Sequence, residues 1–257
     1  MGNITILENQ TIYYELIDGN SSKPYLIFLH EGLGCTEMYK DFAKQLCSKT
    51  ECPALLYDRA GYGKSSPLTR KRTIHYLHDY ALNELPKVVD ALIPNRDFIL
   101  VGHSDGASIS LIFGAEKPKS LKGIITSAAH VFVEDITVDG IIKATQAFEE
   151  GKLSGLFKLH GDKTEDMFNA WSSTWLSQWF RYWNIEYLLP SITVPTLVLQ
   201  GIDDQYGSTE QVNSIATKCS GVVKSFMLNG CGHSPHRDRP NFLVDIMAEF
   251  IEKVINP

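Results

Sequence analysis

The stretch Asp97-Phe98-Ile99-Leu100-Val101-Gly102-His103-Ser104-Asp105-Gly106-Ala107 decides how this chain is read. Its apolar run, with β-branched Ile99 and Val101, reads as a buried strand. The run goes straight into Gly-x-Ser-x-Gly, and a helical pattern follows over residues 107–116. Strand, sharp turn and helix are the setting in which this motif holds a serine on a strained turn at the top of a sheet. Gly102 and Gly106 lack a Cβ and so permit close chain approach on either side of it. Ser104 would project its hydroxyl from the sheet. The backbone N–H of Asp105, opening the helix, would point at a developing oxyanion.

Outward from this stretch the chain alternates strand and helix. Before it, residues 3–7 and 11–17 read as two strands around a turn at Glu8-Asn9-Gln10. Tyr25-Leu26-Ile27-Phe28-Leu29 reads as a central strand that ends in His30-Glu31-Gly32-Leu33-Gly34. A helix over 36–46 is expected, with Thr36 as its N-cap. The next strand, 53–57, leads into the glycine-dense Asp58-Arg59-Ala60-Gly61-Tyr62-Gly63-Lys64-Ser65. Residues 74–92 carry a helical apolar stripe, and Pro86 inside it predicts a kink or break. A strand at 121–127 follows the central helix. After Pro190 come a strand at 194–200, a helix at 209–219, a strand at 222–228 and a final helix at 240–254. This rhythm predicts an α/β fold, a mostly parallel sheet with helices on both faces.

The rhythm breaks over 130–189, where helical, aromatic-rich segments replace strands. All four tryptophans lie there, Trp171, Trp175, Trp179 and Trp183, spaced by four. On one helix that spacing makes a slowly rotating stripe. Such rings pack the helix onto the rest of the protein, and Trp171, Trp175 and Trp179 are candidates to line an apolar substrate pocket.

In an open α/β sheet, function sits in loops at the carboxyl ends of strands. Those loops here supply Ser104, then an acidic pair at Asp203 and Asp204, then His233 in Gly232-His233-Ser234-Pro235. A serine hydroxyl is a weak nucleophile and needs a base that also returns the proton. Histidine titrates in the right range, and a carboxylate orients it and stabilises its charged form. Asp203 rivals Asp204 as the acid, and His236 rivals His233 as the base. His103 is expected to pack on the side of the sheet away from the serine. His30 is expected to brace its loop, and Cys35 and Cys231 to be spectators.

Together these motifs resemble the α/β-hydrolase fold across nearly the whole chain: the loop from His30, the 58–65 loop, the elbow at Ser104, Gly201-Ile202-Asp203-Asp204 and Gly232-His233-Ser234-Pro235. The resemblance implies Asp204 as the acid, His233 as the base, and Gly32 as the second backbone oxyanion donor beside Asp105. It implies a core of 1–129 and 190–257 with a helical cap over 130–189. It also implies a serine hydrolase acting on a small ester or related acyl compound, without metal or organic cofactor. Two alternatives stay open: a carbon–carbon bond hydrolase on the same triad, and a low-turnover ligand-binding protein. The family's first motif usually reads His-Gly, whereas this chain has His30-Glu31. Glu31 would oppose an oxyanion if it faced the site, so its side chain is expected to turn away or bond within its loop; Asp105 raises the same concern, with the positive end of the following helix as its alternative partner.

Composition agrees with a small-molecule enzyme. The 257 residues carry a net charge of −6 and scattered basic residues, which suits no phosphate backbone. No apolar run reaches membrane-spanning length. The first residues lack the pattern of a signal peptide, and Ile6 breaks a myristoylation motif. Five cysteines without zinc-type spacing fit a reducing cytoplasm.

Overall fold

The computed structural model describes residues 1–7 and 10–256. Of the turn expected at Glu8-Asn9-Gln10, Glu8 and Asn9 lie outside the described residues. The strands are β1 (Gly2–Leu7), β2 (Gln10–Ile17), β3 (Tyr25–Leu29), β4 (Ala54–Tyr57), β5 (Phe98–His103), β6 (Leu121–Ser127), β7 (Thr196–Gly201) and β8 (Val223–Leu228). They form one sheet in the order β1-β2-β4-β3-β5-β6-β7-β8. β1 and β2 run antiparallel at one edge, and every pairing from β4 to β8 is parallel.

Alternation along the parallel strands builds two cores. Ile27, Leu29, Leu55, Leu100 and Val198 face one side, while Leu26, Phe28, Leu56, Val101, Leu197 and Leu199 face the other. The second side is covered by α1 (Lys40–Thr50), through Phe42, Ala43 and Leu46, and by α10 (Pro240–Ile255), through Leu243, Met247 and Ile251. The first side is covered by α2 (Tyr76–Asp79), α3 (Leu85–Leu92), α4 (Asp105–Ala115) and α8 (Thr209–Lys218). Each of these fully buried aliphatic side chains contributes about 1.5–3 kcal/mol relative to exposure. α4 is buried at every residue, so it has no solvent face, and its polar Asp105, Ser108 and Ser110 are hydrogen-bonded within the protein.

Two helices differ from the expectation. The segment 74–92 is not one helix: α2 passes into a π-helical turn, Tyr80–Glu84, before α3. Pro86 in the first turn of α3 has no N–H to donate and crowds the carbonyl four residues back, and the wider turn absorbs both. The helix expected over 36–46 is a 3₁₀ turn, Thr36–Met38, followed by α1. Thr36 does not cap α1. Its N–H instead donates to Asp58 Oδ1 at 2.7 Å.

Between β6 and β7 the chain leaves the sheet for α5 (Asp135–Glu149), α6 (Gly155–His160) and α7 (Thr164–Leu176). The two ends of this excursion meet: Phe132 and Asn184 form an isolated antiparallel bridge, and Ile185 N–H donates to Val131 O at 2.8 Å. A second tie is His160, which sits between Gly63 N–H (2.9 Å) and the Leu33 carbonyl (3.0 Å). α9 (Pro235–Asp238) precedes α10. No helix among the described residues is long and apolar enough to cross a membrane.

Candidate active site

Ser104 sits between β5 and α4 with φ 52° and ψ −116°. A backbone held there costs on the order of 1–3 kcal/mol. Its surroundings impose it: Ser104 N–H donates to Ser127 O at 2.9 Å, and Ser104 O accepts from Ala107 and Ser108. The two glycines are steric necessities. A Cβ on Gly102 would lie 2.4 Å from Gly106 O, and one on Gly106 would lie 2.0 Å from Leu29 O.

His233, in the loop after β8, reaches Ser104 from above. Its Nε2 lies 2.9 Å from Ser104 Oγ. On the other side of the ring, Nδ1 lies 2.9 and 3.0 Å from the two oxygens of Asp204. Since a carboxylate accepts, Nδ1 carries the proton and Nε2 presents a lone pair to the serine. Asp204 follows β7 and is itself fixed, accepting from Gln200 Nε2 at 2.7 Å and Tyr206 N–H at 2.8 Å. Burial alone would raise the Asp204 carboxyl. The hydrogen bond and charge of His233, with the Tyr206 N–H, outweigh it and hold Asp204 below the usual carboxylate range. Burial pulls His233 down, but Asp204, then Glu31 and Asp105, hold it above the ordinary histidine value.

The rivals are placed elsewhere. Asp203 is exposed and gives its N–H to Cys231 O. His236 is buried among Tyr39, Phe42 and His103, and burial pushes it down to about 2.

Gly32 and Asp105 both border the site. Among the described residues neither backbone N–H has a hydrogen-bond partner, as expected of the first turn of a helix for Asp105. Gly32 has no room for a side chain, because a Cβ there would fall 2.3 Å from Trp171 Nε1.

The two acidic neighbours behave differently. Asp105 Oδ2 accepts from Tyr76 Oη at 3.0 Å, and Tyr76 Oη in turn accepts from Trp175 Nε1 at 2.8 Å. Arg59 lies 3.9 Å from the same carboxylate, fully buried against Tyr62 and Tyr80. Asp105 is thus tied away from the serine. Glu31 is not: it borders the cavity, and its Oε2 lies 3.5 Å from His103 Nδ1.

The space in front of Ser104 is a cavity of about 500 Å³. Leu33, Met38, Ile141, Leu156, Trp171 and Trp175 give it an apolar lining, and Lys143 and Arg237 border it as exposed cations. Trp171 and Trp175 therefore lie where expected, but Trp179 does not. α7 ends at Leu176 and Ser177 turns extended, so Trp179 leaves the helical stripe and is 44 % exposed on another surface. Trp183 is buried and stacks on Phe180.

Several site residues escaped the sequence. His103 does more than pack, since its Nε2 lies 2.6 Å from the His233 carbonyl and braces the loop. Gln200 steadies Asp204. His130 borders the cavity with its Nε2 on the Tyr206 carbonyl at 2.9 Å. Tyr206 covers His233 at 4.6 Å between rings. His30, by contrast, braces its loop as expected, with Nδ1 on Glu31 O at 2.8 Å and Nε2 accepting from Arg59 N–H at 3.1 Å.

Residues 26–246 match the model of the Alpha/beta hydrolase family, and the chain belongs to that family. It is 22 % identical over 287 aligned positions to a proline iminopeptidase of Lactobacillus helveticus, covering 94 % of each chain. It is 24 % identical to a putative esterase/lipase of Mycoplasma pneumoniae over 89 % of each. Among solved structures it resembles an esterase from Exiguobacterium antarcticum, with a TM-score of 0.76, 19 % identity, and coverage of 98 % of this chain and 100 % of that one. The eight-stranded sheet and its helices agree with that fold.

Proposed function

We propose that this protein is a serine hydrolase that cleaves small carboxylic esters bearing an apolar or aromatic group, through an acyl-enzyme. The observation that carries this reading is the unbroken relay from Asp204 to His233 to Ser104, 2.9 Å at each step, opening on an apolar cavity. Ser104 Oγ attacks the ester carbon while its proton passes to His233 Nε2. The negative charge on the carbonyl oxygen is met by the N–H groups of Gly32 and Asp105, each worth roughly a hundred- to a thousand-fold in rate. His233 then protonates the departing alcohol as the carbon–oxygen bond breaks. Water repeats the sequence to release the acid, with His233 taking its proton and returning it to Ser104. Asp204 stabilises the charged imidazole throughout. In this reading residues 130–189 act as a cap on a core of 1–129 and 190–257, and Trp171 and Trp175 select the apolar group.

The whole-length match to a proline iminopeptidase favours a second reading, in which the same relay opens the amide bond after an N-terminal residue. The deciding experiment is intact mass after fluorophosphonate treatment, beside Ser104→Ala, followed by a panel of aryl esters and prolyl arylamides. A single adduct on the parent alone, with turnover of esters, supports the first reading. Turnover confined to the prolyl amides supports the second. No adduct on the folded parent refutes both.

A further inference from the structure

Glu31 stands opposite a lone pair. His103 Nε2 lies 2.6 Å from the His233 carbonyl, and a carbonyl only accepts, so Nε2 carries hydrogen. In the neutral ring Nδ1 is then an acceptor. It faces Glu31 Oε2 at 3.5 Å, with both side chains largely buried. Among the described residues no other side chain donates to this carboxylate. Two acceptors therefore oppose one another in a low-dielectric pocket, an arrangement that a cation between them would relieve.

A third ligand atom is at hand. One nitrogen of His233 lies within 4.8 Å of both; its Nδ1 is committed to Asp204, and its Nε2 lone pair, which otherwise accepts from Ser104 Oγ at 2.9 Å, is the one a metal would take. Both imidazoles thus have one ring N–H fixed by an oxygen acceptor, a backbone carbonyl for His103 and a carboxylate for His233. That is the outer support usual for metal-binding histidines. We propose that Glu31, His103 and His233 form a binding site for a Zn²⁺-type dication, which shuts the enzyme off by occupying its base. Zinc takes nitrogen and carboxylate ligands at 2.0–2.2 Å, which places neighbouring ligands about 3.4 Å apart in a tetrahedron. The Glu31–His103 spacing already matches, and a swing of the His233 ring or the Glu31 side chain completes the set. Two nitrogen ligands disfavour Mg²⁺ and Ca²⁺, which want oxygen. Metal on His233 Nε2 takes the lone pair that receives the Ser104 proton.

The inhibitory half rests on the proposed hydrolase reading, whereas the binding half does not. The experiment titrates Zn²⁺ calorimetrically into metal-stripped parent, Glu31→Gln and Ser104→Ala chains, with Co²⁺ absorption as a coordination readout. The expected result is one ion per parent chain, a tetrahedral Co²⁺ band, and at least tenfold weaker binding by Glu31→Gln with loss of the band. Ser104→Ala is expected to bind as tightly as the parent. Fluorophosphonate labelling of the parent is expected to slow with Zn²⁺ and recover with a chelator, while Glu31→Gln labels alike with and without it. Equal affinity in parent and Glu31→Gln, or no binding at micromolar Zn²⁺, overturns the site. Binding without slowed labelling overturns the shut-off. A parent that binds Zn²⁺ but never labels sinks the hydrolase reading and leaves the metal site standing.

Discussion

The carboxyl edge of the sheet and the helical excursion above it face the same cavity, but they hold their side chains by different means. At the sheet edge hydrogen bonds, most of them to the main chain, do the positioning. Ser104 is pinned by Ser127 O and by two glycines with no space for a Cβ, and Asp204 by Gln200 and the Tyr206 N–H. In the excursion, Trp171, Trp175, Ile141 and Leu156 are placed by side-chain packing, and the segment is tied down at its ends and at His160. Proton transfer depends on tenths of an ångström, which backbone hydrogen bonds supply. Binding an apolar group depends on filled volume, which rings supply with more tolerance.

This contrast can be broken by experiment. Ser104→Ala should lower kcat by roughly 10⁴-fold or more while KM holds, measured on the best ester of the panel. A variant that keeps a tenth of the activity would break the assignment. Asp204→Asn keeps the shape but offers a donor to His233 Nδ1, so kcat should fall on the order of 10³–10⁴-fold. Retained activity would move the acid elsewhere.

Trp171→Ala tests the other region. It should raise KM about tenfold with kcat changed only a few-fold, since roughly 1.4 kcal/mol of binding is a factor of ten. A loss confined to kcat would show that the excursion positions chemistry as well. The pH profile sharpens the comparison further. His233 is held above the ordinary histidine value, so its base form is lost as pH falls through a point above about 6.5. The acid limb of kcat/KM, recorded with a chelator present, should therefore sit above that value. Glu31→Gln removes one of the charges holding His233 up and should move the limb to lower pH. Trp179→Ala, on a separate surface, should change kcat/KM by less than about twofold, within the usual neutrality of exposed substitutions.

The sequence was most legible where the backbone decides. β6 spans the residues expected, and β5 carries the expected apolar run on through Gly102 to His103, because a short buried run rich in β-branched residues has few alternatives. Ser104, Asp204 and His233 stand at strand ends for the same reason, and the structure draws them into hydrogen-bond contact. Legibility failed where partners are distant in sequence. Nothing in the local pattern says that His103 reaches the His233 carbonyl 130 residues away, or that Arg59 is buried against Tyr62 and Tyr80. The tryptophan spacing misled at Trp179 because period alone does not mark where α7 stops. Thr36 misled as a cap because it opens a 3₁₀ turn, and the α-helix proper starts only at Lys40.

The bridge between Phe132 and Asn184 has a consequence for how such a chain diversifies. Because both ends of the excursion leave the sheet side by side, the chain between them enters and leaves the sheet at one place, and the contacts at His160 add a tie of side chain to loop. A segment of different length or sequence, entering and leaving at the same pair, would add little closure entropy, since that cost grows only with the logarithm of loop length. The sheet edge below would keep its shape while the cavity wall above it was exchanged. The joint at Phe132 and Asn184 is thus the seam along which one scaffold can be given a different cavity wall, by natural variation or by grafting.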